Sequence, residues 1–205
     1  MWHPTSILGV DEAGTGCSAG PFVVGAFYAP TEDWAVERLD DSKEVSKKER
    51  EKLFDLLMKK WPERCATLFV TADEINRRSL GVCHREAMAK VAEILLERLG
   101  PPNRVIFDGN MSYLSGGEGI VDGDALFQAV SAASILAKVT RDRFMRTEVH
   151  AKYPQYNFAK HKGYWTPEHK QAVLSHGLCV EHRVGYRNIQ ELIETKVVAF
   201  PRFSR

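Results

Sequence analysis

The sequence predicts an α/β layered domain built on a mixed sheet, and three observations carry that expectation. Short apolar runs alternate with stretches of helical periodicity along the 205 residues, the pattern of a sheet covered by helices. The first two runs are separated by little more than a turn, so they pair antiparallel. No repeat, low-complexity tract or linker divides the chain, so a single domain over residues 1–205 is expected, its part from about 153 onward helical.

Each element has its own signal. Ile7-Leu8-Gly9-Val10 stops at Asp11-Glu12 and a glycine-rich turn, which marks a buried strand. Residues 21–28 read as the second strand, followed by a polar connection over 30–40. Ser46-Lys47-Lys48-Glu49 is a capping box. The helix it starts carries Leu53, Phe54, Leu57 and Met58 on one buried face and stops before Pro62. Residues 65–70 form a third strand, after which Thr71 caps a helical turn with Asp73 and Glu74 as favourable charges at its start.

Residues 82–99 repeat their apolar positions at three and four and end at Gly100-Pro101-Pro102. His84, near the start, reads as a surface or capping histidine. Arg104-Val105-Ile106-Phe107 is a strand ending in Asp108-Gly109, and Gly119-Ile120-Val121 is another ending in Asp122-Gly123-Asp124. Residues 125–152 are helical in composition, and the small side chains of Ala132, Ala133, Ser134 and Ala137 permit close packing on the sheet. Tyr153-Pro154 breaks that helix. Thr166-Pro167 starts another that runs to Gly177, and residues 188–199 form the last, with Ile189, Leu192 and Ile193 inward.

Composition excludes several classes. No apolar stretch approaches the ~18 residues of a membrane span, and Met1-Trp2-His3-Pro4 lacks a secretory pattern, so a cytoplasmic protein is expected. The four cysteines are scattered without a C-x-x-C pair, which points to reduced thiols rather than zinc or disulfides. The formal net charge of +1 hides a basic stretch over 138–170, where eight Lys and Arg face three acids, the kind of footprint a phosphate backbone attracts.

Three strand ends carry acids: Asp11 and Glu12, Asp108, and the Asp122/Asp124 pair. Asp11 and Glu12 leave opposite faces of a strand and share one site only if the chain bends, which Gly14 and Gly16 can supply. Converging carboxylates repel and take up protons unless a cation joins them. An oxygen-rich cluster of this kind suits a hard divalent ion, and two-metal phosphodiester hydrolysis is the reaction that most naturally uses it. In the basic stretch, Tyr156, Phe158, His161, Lys162, Tyr164 and Trp165 interleave aromatics with cations, as stacking on sugar or base requires.

Five segments together resemble ribonuclease HII, the type 2 ribonuclease H. They are Gly9-Val10-Asp11-Glu12-Ala13-Gly14-x-Gly16, Asp41-Ser42-Lys43, Asp108-Gly109-Asn110, residues 131–142 and Tyr156-x-Phe158-x-x-His161-Lys162-Gly163-Tyr164. The resemblance implies a ribonuclease H-like mixed five-stranded sheet flanked by helices, with a C-terminal helical extension. It implies cleavage of the RNA strand of RNA/DNA hybrids and nicking 5′ of ribonucleotides embedded in duplex DNA, leaving a 3′-hydroxyl. Two ions, Mg2+ or Mn2+, would be held by Asp11, Glu12, Asp108 and Asp124. Substrate would be bound by Gly14, Thr15, Gly16, Lys43, Lys162 and Tyr164, the tyrosine stacking on the sugar at the RNA to DNA junction. Asp122, Asp142, His161 and Arg183 are further candidates, although Asp142 also reads as a helix-surface ion pair. A monomer with no membrane partner is expected.

Two positions depart from the family pattern. Thr15 stands where arginine is usual, and Asp122 where lysine is typical, which predicts weaker substrate binding, an altered preference between single ribonucleotides and long hybrids, or a raised metal requirement. The alternatives are a specificity like that of ribonuclease HIII and a non-catalytic nucleic-acid-binding descendant; retention of all four acids argues against the latter.

Overall fold

The computed structural model describes residues 5–31, 34, 36, 39 and 45–199. Its strands are β1 (Ile7–Ala13), β2 (Phe22–Ala29), β3 (Cys65–Val70), β4 (Arg104–Asp108) and β5 (Glu118–Ile120). They form one five-stranded sheet in the order β3-β2-β1-β4-β5. The hairpin expected from the short first connection is present, with β1 antiparallel to β2, while β1–β4 and β4–β5 are parallel. The sheet is therefore mixed, as the alternation of patterns predicts.

The helices follow the capping chemistry. Helix α1 (Lys47–Lys60) begins where Ser46 Oγ accepts the Glu49 N–H at 3.3 Å, and Trp61 ends it ahead of Pro62. Leu53 and Leu57 are buried on it, but Met58 is 41% exposed and does not belong to the packed face. Helix α2 (Ala72–Arg78) has a complete capping box from Thr71 and Glu74. Helix α3 (Leu80–Leu99) starts two residues earlier than its periodicity suggests. The expected long helix over 125–152 is interrupted: α4 (Gly123–Leu126) is one turn, α5 (Gln128–Phe144) is regular, a π-helical turn spans Met145–Val149, and α6 (His150–Lys152) completes the run. Beyond it lie α7 (Phe158–His161), α8 (Pro167–His176), whose N-cap is Thr166, and α9 (Arg187–Glu194). No helix among the described residues is long and apolar enough to cross a membrane.

The chain packs as two compact units. The first comprises Met1–Ala13, Val23–Leu68 and His84–Thr140. Its core joins Ile7, Phe27, Leu57 and Ile106 to Val130, Ile135 and Leu136 of α5. That helix lies in backbone contact with the central strands. A Cβ added at Gly9 would come 2.3 Å from the Ala129 carbonyl carbon, and one at Gly25 would come 2.2 Å from the Ala133 carbonyl oxygen. Glycines on the strands and alanines on the helix thus permit one close approach, and this seats the neighbouring Ser134 over Asp11.

The second unit comprises Gly14–Phe22, Phe69–Cys83 and Arg141–Arg205. Its core is Met145, Val149, Tyr156, Phe158, Val173 and Val198, with Leu192 and Ile193 packed against it. Ile189 is fully buried, so the last helix turns the expected face inward.

Candidate active site

The acids of the first unit meet because two parallel strands end together. Val10 of β1 is the register partner of Phe107 of β4. Asp11 and Asp108, one residue further on, therefore sit on adjacent strands ~4.8 Å apart. Asp11 is only 6% exposed. Its Oδ1 accepts the Glu12 N–H at 2.7 Å. Burial first, then the adjacent Glu12 carboxylate, pushes the Asp11 pKa from an ordinary 3.8 up to about 8. Asp108 adds to the rise, while hydrogen bonds from Ser134 and the Glu12 N–H work against it.

Helix α4 brings the third strand end to the same place. The Gly123 N–H donates to Asp108 Oδ1 at 2.8 Å, and Asp124, next in the chain, is 3% exposed. Asp122, by contrast, is exposed, in a left-handed conformation at φ 55° ahead of α4. Of the two aspartates that spacing left in competition, the buried one is Asp124.

Strand β1 stays paired to β2 as far as Ala13, opposite Val23, and the Glu12 carboxylate is still close enough to Asp11 to raise its pKa. Glu12 Oε2 lies 3.5 Å from His84 Nε2. The His84 ring packs edge-on against Tyr113 at 5.4 Å, and Tyr113 packs on Phe107. His84 is thus partly buried against Glu12, and Tyr113, whose pKa is raised by burial and then by Glu12, is a neighbour that periodicity does not show.

Among the described residues no three of His, Cys, Asp and Glu converge into a ready cage for one ion. The donor set nonetheless fits a hard divalent cation: all four candidate ligands are carboxylates, and Asp11 sits where negative charge is costly. An ion such as Mg2+ is ordinarily bound through one or two carboxylates, with water and substrate phosphate completing its shell.

In the second unit the 14–16 turn is held from inside. Gly14 has φ +93°, and a Cβ there would fall 1.9 Å from Arg141 Nε. Gly16 differs, being exposed with nothing within 4 Å of an added Cβ. The first glycine is demanded by the fold, whereas the open space at the second is available to a ligand. Gly14→Ala is expected to lose ~3 kcal/mol of stability through strain and collision. Gly16→Ala should unfold within ~0.5 kcal/mol of the parent yet bind a ribonucleotide-containing duplex at least ~10-fold more weakly, measured by denaturant titration and fluorescence anisotropy.

Three of the candidate substrate contacts are buried and bond within the fold. Arg183 is fully buried and donates from Nε to Gly20 O at 2.9 Å and from Nη1 to Thr15 O at 3.0 Å. Lys162 is buried, with its ammonium on the carbonyls of Ala159 and Lys160. His161 is buried too, Nε2 donating to Tyr156 O at 2.7 Å and Nδ1 accepting the Gly163 N–H. Each bonds backbone carbonyls or amides that would otherwise be buried unpaired. Arg141, also fully buried, donates to Pro21 O, Ala19 O and Lys162 O, tying the glycine turn's segment to the one carrying Tyr164.

Tyr164 is 44% exposed. Its hydroxyl pKa is raised by burial first, then by Cys17, with Asp142 a smaller contributor, so Asp142 lies beside Tyr164 in this unit. Lys43, with Asp41 and Ser42, lies outside the described residues.

Comparison with known proteins shows the family. A sequence model of the family described as Ribonuclease HII matches residues 8–189. The chain is 44% identical over 200 residues to Ribonuclease HII of Paracidovorax citrulli, covering 96% of this chain and 81% of that one. It is 40% identical over 193 residues to Ribonuclease HII of Mycolicibacterium smegmatis, covering 92% and 68%. The crystal structure of ribonuclease H2 from Pyrococcus horikoshii OT3 superposes with a TM-score of 0.71 at 26% identity, covering 93% and 98% of the two chains. With its acids at the ends of β1 and β4 on a mixed five-stranded sheet, the chain belongs to the ribonuclease HII family of divalent-metal-dependent type 2 ribonucleases H.

Proposed function

We propose that this endoribonuclease cuts the RNA strand of RNA/DNA hybrids and nicks duplex DNA 5′ of an embedded ribonucleotide, leaving a 3′-hydroxyl. The observation that carries the reading is the buried Asp11 carboxyl beside Asp108 at the ends of paired parallel strands. Asp11, Glu12, Asp108 and Asp124 would hold two Mg2+ or Mn2+ ions. Such ions, when bound, supply an activated water and offset charge on the phosphodiester. Asp11, the most buried of the strand-end acids of β1, is the candidate shared between both ions. Ser134 and the Glu12 N–H keep its carboxylate in one orientation.

The turn with Gly16 supplies close backbone approach to the substrate, and the exposed Tyr164 ring supplies a stacking platform for the sugar. The protein acts as a monomer in the cytoplasm, a single catalytic domain in function. The test is cleavage of a duplex holding one ribonucleotide against an all-DNA duplex, with Mg2+, Mn2+ or EDTA. Cleavage confined to the first duplex, dependent on a divalent ion and leaving an extendable 3′ end, is the expected result; metal-independent cutting or cutting of both duplexes overturns it.

Thr15 gives a graded check. An arginine there adds one phosphate contact, so Thr15→Arg is expected to lower KM for the single-ribonucleotide duplex ~3–10-fold at low salt. The salt dependence of binding should steepen by about one counterion. An unchanged KM and slope would show that the side chain at 15 does not face the substrate backbone.

A further inference from the structure

The 14–16 turn is gripped from the C-terminal part of its own unit by a residue that nothing in the sequence pattern points to. Arg183 Nη1 donates to Tyr186 Oη at 2.8 Å as well as to Thr15 O. The Tyr186 hydroxyl in turn donates to the same Thr15 carbonyl. Arg183 also holds Gly20 O through Nε and Ser18 O through its own backbone N–H, and Asn188 Nδ2 donates to Ser18 Oγ at 2.7 Å. The whole 15–20 segment is thereby fastened to residues 183–188, and among the described residues only Tyr186 adds a second donor at Thr15.

That second donor has a directional consequence. The Thr15 carbonyl and the Gly16 amide belong to one trans peptide unit and point in opposite directions. Two donors on Thr15 O therefore aim the Gly16 N–H away from Arg183 and Tyr186, at an exposed glycine with open space around its α-carbon. Without such a hold this peptide is the one in the turn most able to rotate, since glycine accepts either sign of φ. We infer that Tyr186 is a positioning residue for substrate discrimination: with Arg183 it locks the Thr15–Gly16 peptide with its N–H outward, ready to donate to the 2′-hydroxyl oxygen of a ribonucleotide. The inference rests on the reading of the turn as substrate-binding, and it assigns to Tyr186 the orientation that makes the turn selective for ribose.

The test uses Tyr186→Phe, which keeps the ring and removes one oxygen. Binding to a duplex with one ribonucleotide and to an all-DNA duplex of the same sequence is measured in EDTA, so that no turnover intervenes. The ribonucleotide duplex is expected to bind about 10-fold more weakly and the DNA duplex within about twofold of the parent, an effect of the size of one well-aimed hydrogen bond. The ratio of the two affinities does not depend on the fraction of folded protein, so a merely structural loss would leave it unchanged. Equal weakening on both duplexes, or none, overturns the inference. Gly16→Ala run in parallel separates the two levels. If it abolishes discrimination while Tyr186→Phe does not, only the role of Tyr186 fails; if Gly16→Ala also leaves the ratio intact, the turn is not the ribose reader and both fail.

Discussion

Asp11→Asn is expected to cut turnover on a ribonucleotide-containing duplex by at least ~1,000-fold, about 4 kcal/mol of barrier, while making the metal-free protein more stable. The two effects have one cause. Burial, Glu12 and Asp108 hold the Asp11 pKa at about 8 in the folded chain, against 3.8 ordinarily. Between those values the folded state binds the extra proton, so metal-free stability falls as pH rises from about 4 through about 8 and then levels off. At pH 7 the cost is of the order of 4 kcal/mol, at 1.36 kcal/mol for each pKa unit. Asparagine removes the ionisation and with it this part of the pH dependence. A divalent ion does the same for the parent by binding the folded form, so Mg2+ should raise the parent's urea midpoint and leave that of the variant unmoved. Urea titrations at pH 5, 7 and 8.5, with and without Mg2+, measure all three expectations. A variant no more stable than the parent at pH 8.5 without metal, or one that still responds to Mg2+, would show that Asp11 is not the carboxylate at which cation and proton compete.

The sequence made the positions of the acids legible because strand ends are punctuated. An apolar run that stops at Asp11 or Asp108 before a glycine announces both the strand and the side chain it delivers. Caps were legible for the same local reason: Thr71, Thr166 and Ser46 bond within three residues of themselves. What pattern could not show is which charged side chains face inward. Lys162, His161 and Arg183 look like substrate contacts in a basic stretch, yet the first two bond carbonyls two to five residues away, which a local turn folds back onto them, and Arg183 bonds Thr15 O, 168 residues away. For His84 the helix start was visible, but Glu12 and Tyr113 beside it were not. The break at Phe127 and the π turn at Met145–Val149 carry no proline or glycine, so the run over 125–152 gave no sign of interruption.

Acid is expected to destabilise the second unit through a pair of buried histidines. His169 Nδ1 donates to Tyr164 O at 3.0 Å, which leaves Nε2 to accept, and His182 Nε2, 3.1 Å away, is the donor. His182 Nδ1 then accepts the Cys179 N–H at 3.0 Å. With both rings neutral the chain of tautomers is complete; a proton on His169 Nε2 would face the His182 N–H and force that proton to Nδ1, which gains Cys179 O at 3.2 Å but loses the Cys179 N–H. Stacking of His161 on His169 at 4.6 Å adds a third ring whose own pKa burial lowers. Burial first, with the neighbouring imidazoles adding to it, presses His169 to about 4 and His182 to about 3. The unfolded chain takes up protons near pH 6.5 and the folded one does not, so stability declines as pH falls below 6.5, by about 2 kcal/mol per histidine at pH 5. This slope is opposite to that of Asp11 over the same window, so the two would mask each other in the parent. In an Asp11→Asn background the acid limb should stand alone, with ~4 kcal/mol lost between pH 7 and 5, and His169→Asn should roughly halve it. A flat profile in that background would mean the pair takes up its proton in the folded state, and the neutral chain that anchors the Tyr164 carbonyl would be wrong.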